Sequence, residues 1–93
     1  MLIGVCLINI YIRDSCSLKD KRRILSGLKA KLRHKFNISI AEIGSKDHWQ
    51  RASLGVVSVS DDGRLVESSL SKIVKFISNN PNIDVIDYDI HFH

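Results

Sequence analysis

The feature that most constrains this chain is an apolar run near its start, "LIGVCLINIYI", from Leu2 to Ile12. In the first half of the run both alternating faces are apolar, which is typical of a strand with neighbours on each side. The run has about half the length that a bilayer crossing needs, and it contains Asn9. We therefore interpret it as the central strand of a folded domain. At least one face of this strand must be covered by other parts of the chain.

The next part of the chain changes to helical periodicity and then back to strands. Residues 17–36, "SLKDKRRILSGLKAKLRHKF", carry leucines at helical spacing behind a Ser17 cap, with Asp20 in the position of a weak capping box. Two runs rich in β-branched residues follow, 37–44 and 52–60, on either side of the polar segment "SKDHWQR". This pattern predicts one helix and a β-hairpin with a loop of several residues.

The C-terminal third predicts a second helix and a final strand. Residues 63–78 form the helix, which ends at the stop signal "NNPN". Its predicted apolar stripe consists of Leu65, Ser69, Ile73, Phe76 and Ile77. The tail alternates as a strand half in contact with water, with Val85 on the polar face. The predicted apolar face of the tail consists of Ile86, Tyr88, Ile90 and Phe92.

The order of these elements is that of an α+β ferredoxin-like βαββαβ two-layer sandwich. Right-handed crossovers give a four-stranded antiparallel sheet in the spatial order 4-1-3-2, with two helices on one face. Ninety-three residues suit one compact domain, so we predict a single domain over residues 1–93. In this topology residues 13–21 and 45–51 meet at one end of the sheet.

Positive charge is concentrated in the first helix, where eight Lys and Arg side chains accompany a single acid, Asp20. Residues 1–46 carry ten cations against three acids, whereas residues 47–93 carry four against seven. Cationic surfaces of this kind bind phosphate backbones, because each neutralised phosphate releases condensed counterions. RNA is favoured over a DNA operator, since nothing resembles a helix-turn-helix or a zinc finger. The alternative is a solvated helix face that keeps the protein soluble.

The predicted nucleic-acid interface combines this helix with the hairpin tip, since the strands lack the aromatic motifs of an RRM. Trp49 at the tip can stack on a base or, alternatively, cap the end of the core. Lys21 lies within the apolar stripe by its helical angle, so we expect its ammonium to reach over the sheet rim toward the end loops. The candidate residues are Lys19, Lys21, Arg22, Arg23, Lys29, Arg33, Lys46, Trp49 and Arg51.

The sheet face that the helices leave bare is a second candidate surface. Its first-strand residues are apolar, and such an area is larger than a monomer of this size usually tolerates. We therefore predict a homodimer, and the alternative function is a homo-oligomeric protein–protein interaction module using this face or an edge strand. The predicted interface residues are Ile3, Val5, Leu7 and Tyr11.

No motif indicates catalysis, a cofactor or a metal site, so we predict a non-enzymatic protein. Asp47 and His48 adjoin at the hairpin tip, but no recognisable nucleophile accompanies them. His91 and His93 lie two apart near aspartates, a spacing that a metal can use but that is more often incidental at a chain end. The two cysteines lack zinc or disulfide spacing, and the five glycines build no phosphate loop. No basic leader precedes the first strand, so the expected location is the cytoplasm.

Four segments together resemble the YlxP-like family of small bacterial proteins: "SLKDKRR" (17–23), "FNISIAEIG" (36–44), "WQRASLGV" (49–56) and "IDYDI" (86–90). The resemblance runs nearly end to end and implies a ferredoxin-like sandwich. Genes of the family often lie among those for transcription and translation factors, which favours RNA or the ribosome as the partner. The family supplies no established activity and no catalytic or ligand residues. Asp20 stands where the family commonly has Glu.

Overall fold

The structure, a computed structural model, describes residues 1–93 and contains four strands and two helices. In chain order they are β1 (Leu2–Ile12), α1 (Leu18–Lys35), β2 (Ile38–Gly44), β3 (Arg51–Ser60), α2 (Gly63–Ser78) and β4 (Ile83–Phe92). The strands form one antiparallel sheet in the order β2-β3-β1-β4, which is the predicted order read from the other edge. The ferredoxin-like α+β sandwich is confirmed. Neither helix has the length and apolar character needed to span a membrane.

The first strand, β1, lies inside the sheet, as its apolar sequence predicts. It pairs with β3 along one edge and with β4 along the other. Its side chains Cys6, Ile8, Ile10 and Ile12 are 1% exposed or less and pack in one core with apolar residues of both helices. The helical layer therefore covers one face of the sheet, and the opposite face is left open.

The helix α1 begins at the predicted Ser17 cap. The Oγ of Ser17 accepts a hydrogen bond from the backbone N–H of Asp20 at 3.1 Å, and the Asp20 carboxylate accepts one from the backbone N–H of Cys16 at 3.1 Å. Two backbone donors at the helix start are thereby satisfied, as in a capping box displaced by one residue. The buried apolar residues that follow are Leu25, Leu28 and Leu32.

The helix α2 has the predicted bounds, but the predicted apolar stripe was partly wrong, because Leu65 is 57% exposed. The cause is a close approach to β1 at Gly4. A Cβ added to Gly4 would lie 2.4 Å from Cγ1 of Val66 and 2.7 Å from Cδ1 of Leu70. The helix α2 therefore packs on β1 through the side that carries Val66 and Leu70, and Leu65 lies outside this contact. Its buried residues are Val66, Leu70, Ile73 and Ile77.

The strand β4 departs from the predicted alternation, because its pairing with β1 shifts between Asn9 and Ile10. On one side of the shift Val85 pairs with Ile10, and on the other Tyr88 pairs with Ile8. Since Ile8 and Ile10 point the same way, Val85 and Tyr88 lie on the same face of the sheet. The prediction that Val85 faces away from Tyr88 was wrong, and the cause is an extra residue in β4.

Candidate nucleic-acid interface

Lys21 lies in the first turn of α1 and is buried, with 1% of its surface exposed. Its Nζ donates hydrogen bonds to the backbone carbonyls of Ser45 at 2.9 Å, Lys46 at 3.2 Å and Arg51 at 3.2 Å. These bonds use all three ammonium hydrogens, so none remains for a phosphate. The ammonium reaches the end loops as predicted, but the assignment of Lys21 as a nucleic-acid-binding residue was wrong.

Glu42 of β2 supplies the counter-charge for Lys21. Its Oε2 lies 2.8 Å from Nζ, which is within ion-pair distance. The backbone N–H of Ile12 also donates to the carbonyl of Gln50 at 2.7 Å, which joins the end of β1 to the same loop. The predicted neighbourhood of residues 13–21 and 45–51 is therefore confirmed.

The other cations of α1 remain almost free of acidic partners. The chain contains three ion pairs within 4.0 Å, and beyond Lys21 only Arg23 among the α1 cations takes part in one, with Asp20 at 4.0 Å. An exposed pair at that distance contributes little. No carboxylate lies within 4.0 Å of the remaining α1 cations, which are Lys19, Arg22, Lys29, Lys31, Arg33 and Lys35.

One group of these cations lies on the side of α1 that faces away from α2. Successive helical residues turn by about 100°, which places four of them together, and we call this group the outer row. The Nη2 of Arg33 donates a hydrogen bond to the carbonyl of Ile40 at 3.1 Å, so the row lies along the β2 edge of the sheet. Three members are exposed and Lys29 is half-buried. The outer row consists of Lys19, Arg22, Lys29 and Arg33.

A second group, which we call the inner row, consists of Arg23, Lys31 and Lys35 and faces α2. The Nζ of Lys35 lies 4.7 Å from the centroid of the Phe76 ring in α2. Arg23, which we predicted as part of the same surface as Arg22, belongs to this other side. Lys31 and Lys35 were not among the predicted site residues, although their helical spacing places them on the same side of α1 as Arg23.

The hairpin tip presents Lys46 and Trp49 to solvent at the end of the molecule where α1 begins. Trp49 is 44% exposed, so its indole is not a complete cap of the core. The turn itself is well defined: Ser45 has a φ of 60°, and the N–H of Gln50 donates to Nδ1 of His48 at 3.2 Å. The Lys21 hydrogen bonds hold this tip against the start of α1.

Arg51 projects from the other side of the sheet. It pairs with Tyr11 in the β1–β3 register, and the next residue, Ala52, is 1% exposed within the core. Alternation along β3 therefore directs the Arg51 side chain to the open face. Its placement on the same surface as the α1 cations was wrong, since only its backbone carbonyl contacts α1, through Lys21.

The open face of the sheet carries all four of the predicted oligomer-interface residues. Ile3 pairs with Val59 and Val5 pairs with Val57, so the two valines of β3 share that face. Leu7, Val57 and Val59 are 38%, 39% and 47% exposed. Val57 and Val59 were not among the predicted interface residues, although the alternating pattern of residues 52–60 places them on this face.

Polar groups border the open face along β4. The Nδ2 of Asn9 donates to Oδ1 of Asp87 at 2.6 Å, and the Oγ of Ser53 donates to Oδ1 of Asn9 at 2.6 Å. At the end of β1, Arg13 donates two hydrogen bonds to the carboxylate of Asp84, and these bonds lower the pKa of Asp84 below its ordinary value. The open face is thus apolar in its middle and acidic along the β4 edge.

The two cysteines differ in surroundings. Burial raises the pKa of the Cys6 thiol to about 11, and the negative charge of Asp89 adds to the effect. Cys6 therefore stays protonated near neutral pH and serves as a core residue, whereas Cys16 is exposed. No three or more His, Cys, Asp or Glu side chains lie together in a way that would hold a metal ion.

Comparison with known proteins places this chain in a family. A relative from Bacillus subtilis (strain 168), described as uncharacterized protein YlxP, is 39% identical over 83 residues, which cover 89% of this chain and 90% of the relative. A solved structure from an uncultured marine organism, described as a dimeric ferredoxin-like protein, aligns over 100% of this chain and 94% of its own with 7% identity and a TM-score of 0.48. Residues 3–90 match the family described as protein of unknown function (DUF503), and the chain belongs to that family.

Proposed function

We propose that the protein binds RNA, without catalysing a reaction, through the outer row of α1 and the hairpin tip. The observation that carries the proposal is a row of four cations with no carboxylate within 4.0 Å of any of them. Such a row keeps its positive potential, and each member that meets a phosphate releases counterions. Trp49 in the hairpin tip adds an exposed aromatic surface on which a base can stack.

Two structural features favour a pre-formed surface. The helix α1 has 18 residues, and at 1.5 Å per residue it is about 27 Å long, which is enough to follow several phosphates. The buried Lys21 ammonium fixes the hairpin tip to the start of that helix. The binding surface therefore needs little ordering when RNA arrives. The gene setting implied by the family resemblance favours an RNA of the ribosome.

The test compares two triple variants that remove the same charge from different helices. The first changes Lys19, Arg22 and Arg33 to Gln, and the control changes the exposed α2 cations Arg64, Lys72 and Lys75 to Gln. We expect the outer-row variant to weaken binding to fluorescently labelled single-stranded RNA by about ten-fold or more, and the control to change it by about two-fold or less. Equal weakening by both variants would mean that net charge alone attracts the RNA, and the proposal would be wrong.

A second candidate function, self-association through the open sheet face, is favoured by the apolar side chains gathered there. Paired residues of β1 and β3 place Ile3, Val5, Val57 and Val59 next to one another, and both valines are more than a third exposed. Contiguous apolar area of this kind marks interaction surfaces in soluble proteins. Face-to-face packing of two such sheets would bury it.

This second proposal is tested by the oligomeric state measured by sedimentation. Val57→Lys puts a charge into the open face, and Leu65→Lys puts the same charge on the exposed side of α2, where Leu65 is 57% exposed. We expect the wild type and Leu65→Lys to sediment as dimers at low and high salt, and Val57→Lys as a monomer. A wild type that sediments as a monomer at all concentrations would contradict self-association.

A further inference from the structure

A groove separates the two helices on the covered side of the sheet. The helix α1 packs mainly against β2, whereas α2 packs against β1, β3 and β4. The groove has a volume of about 670 Å³ and lies beside the middle of α1 and the end of α2. Its apolar residues are Ile24, Leu28 and Phe76. A groove of this volume, with apolar surface and polar groups around it, has room for a small molecule.

The polar groups of the groove come from opposite sides. Arg23 and Lys31 of the inner row line it from α1, and three asparagines that follow α2 line it from the other side. The side-chain amides of Asn79 and Asn82 make no hydrogen bond within the chain, and Asn80 uses only its Oδ1, which accepts from the N–H of Asn82 at 2.9 Å. The groove thus offers two cations, together with amide donors and acceptors that are free to bind a ligand.

Gly27 lies in the middle of α1 and also borders the groove. Glycine is unfavourable in a helix interior relative to alanine, so its presence here lowers the stability of the helix. A Cβ added to Gly27 would meet nothing within 4 Å, so packing inside the protein does not account for it. The open space beside Gly27 leaves room for a ligand to approach the helix backbone.

Arg13 holds the asparagine side of the groove in place through hydrogen bonds to its backbone. The Nη1 of Arg13 donates to the carbonyl of Pro81 at 3.1 Å, and the backbone N–H of Arg13 donates to the carbonyl of Asn82 at 2.9 Å. The same guanidinium is anchored on the carboxylate of Asp84. The segment 79–82 is therefore ordered before any ligand binds, which lowers the entropic cost of binding.

We propose that this groove binds a single nucleotide, with its phosphate held by Arg23 and Lys31 and its base between Phe76 and the asparagines. Arg and Lys are the usual partners of phosphate, and an Asn amide matches the paired donor and acceptor of a base edge. The apolar floor covers the face of the base, and Gly27 lets the nucleotide approach the helix. The inference rests on the proposed function only where the nucleotide belongs to a bound RNA, since a free ribonucleoside monophosphate presents the same chemistry.

The first experiment titrates the wild-type protein with AMP, GMP, CMP, UMP and inorganic phosphate while backbone amide NMR signals are recorded. We expect at least one monophosphate to shift the signals of Gly27, Lys31 and Asn80 and to bind about ten-fold more tightly than inorganic phosphate, because the base adds contacts that phosphate lacks. Binding of all four monophosphates no tighter than that of phosphate, or shifts confined to residues outside the groove, would overturn the proposal.

The second experiment uses a pair of matched variants. Gly27→Leu fills the groove with a good helix former, and Ser26→Leu adds the same side chain at the adjacent exposed position, which does not line the groove. We expect Gly27→Leu to weaken monophosphate binding about ten-fold or more and Ser26→Leu to change it about two-fold or less. Circular dichroism and urea unfolding confirm that both variants fold. Unchanged monophosphate binding in folded Gly27→Leu would overturn the proposal.

Parallel titrations with single-stranded RNA separate this inference from the proposed function. RNA binding that is lost in the outer-row variant, with no monophosphate binding in the wild type, would overturn the groove proposal and leave the proposed function standing. Monophosphate binding in the groove without any RNA binding would support the groove and overturn the proposed function. If both ligands bind, weakening of both by Gly27→Leu identifies RNA as the source of the nucleotide, and weakening of the monophosphate alone identifies a free nucleotide.

Discussion

Lys21 is the one fully buried cation of the protein, and its neighbours are four oxygen atoms. Three backbone carbonyls take its hydrogens, and Oε2 of Glu42 balances its charge at 2.8 Å. Removing one member of a buried charged pair leaves the other uncompensated, and such changes cost about 3–5 kcal/mol. Because Glu42 keeps some contact with solvent, with 19% of its side chain exposed, we place Lys21 at the lower end of that range.

The first prediction concerns this residue. We expect Lys21→Met to lower the free energy of unfolding by about 3 kcal/mol, measured by urea denaturation, because Met keeps the apolar stem and loses the ammonium. Lys19→Met is the control, since Lys19 is exposed and without an ion pair, and its effect should stay within about 0.5 kcal/mol. Equal effects of the two substitutions would contradict the structural role assigned to Lys21.

The second prediction concerns pH and the Arg13–Asp84 pair. Hydrogen bonding to Arg13 lowers the pKa of Asp84 in the folded state. The pair therefore stabilises the fold fully above the unfolded-state pKa of about 4, and the stabilisation is lost as pH falls through the lower, folded-state value.

Urea unfolding of Asp84→Asn across the acid range tests whether the stabilisation by the pair is lost as pH falls. The variant should be less stable than the wild type at pH 7, and the difference should shrink toward zero in acid. Asp47→Asn, at an exposed position outside the ion pairs, serves as the control for the removal of a surface carboxylate. A difference for Asp84→Asn that is constant with pH would contradict the assigned pair.

At the scale of single residues, the sequence predicted where side chains lie better than it predicted their hydrogen-bond partners. The helical angle of Lys21 was enough to place its ammonium over the sheet rim. Its acceptors are backbone carbonyls that lie 24, 25 and 30 residues further along the chain. No composition or spacing rule marks such carbonyls, so the burial of Lys21 could not be predicted. The side of the sheet taken by Arg51 depends on the hairpin register in the same way.

At the scale of elements, we expect alanine substitutions at two glycines to change the free energy of unfolding in opposite directions. A Cβ at Gly27 of α1 meets open space, whereas a Cβ at Gly4 of β1 would lie 2.4 Å from Val66. We expect Gly27→Ala to raise the free energy of unfolding by about 0.5–1 kcal/mol, since alanine favours the helix. Gly4→Ala should lower it by about 1–3 kcal/mol, because it overpacks the contact between β1 and α2. Thermal or urea unfolding gives both values, and changes of the same sign would contradict this packing.

The elements themselves could be predicted because their signals are local. The Ser17 cap, the "NNPN" stop and the β-branched hairpin runs each act within a few residues, and the structure has these boundaries within one residue. The bulge in β4 could not be predicted in this way. It arises from a shift in pairing with β1 between Asn9 and Ile10, which is a property of two strands together.

At the scale of the whole molecule, the fold sorts charge onto separate surfaces. The outer row lies along the β2 edge, the inner row lines the groove toward α2, and aspartates border the open face along β4. The sequence predicted the uneven charge between the two halves of the chain. It could not predict which row of α1 cations faces α2, because that depends on where α2 packs on the sheet. If RNA binds to the outer row as proposed, both the groove and the open face stay accessible.

The salt dependence of RNA binding tests the central claim, that the outer row neutralises phosphates. Affinity for single-stranded RNA is measured between about 50 and 200 mM salt for the wild type and both triple variants. Each lost phosphate contact lowers the slope of log affinity against log salt by about 0.7. We expect a slope smaller by about 2 for the variant of Lys19, Arg22 and Arg33, and an unchanged slope for the α2 control. Equal slopes in all three proteins, or the same reduction in both variants, would contradict it.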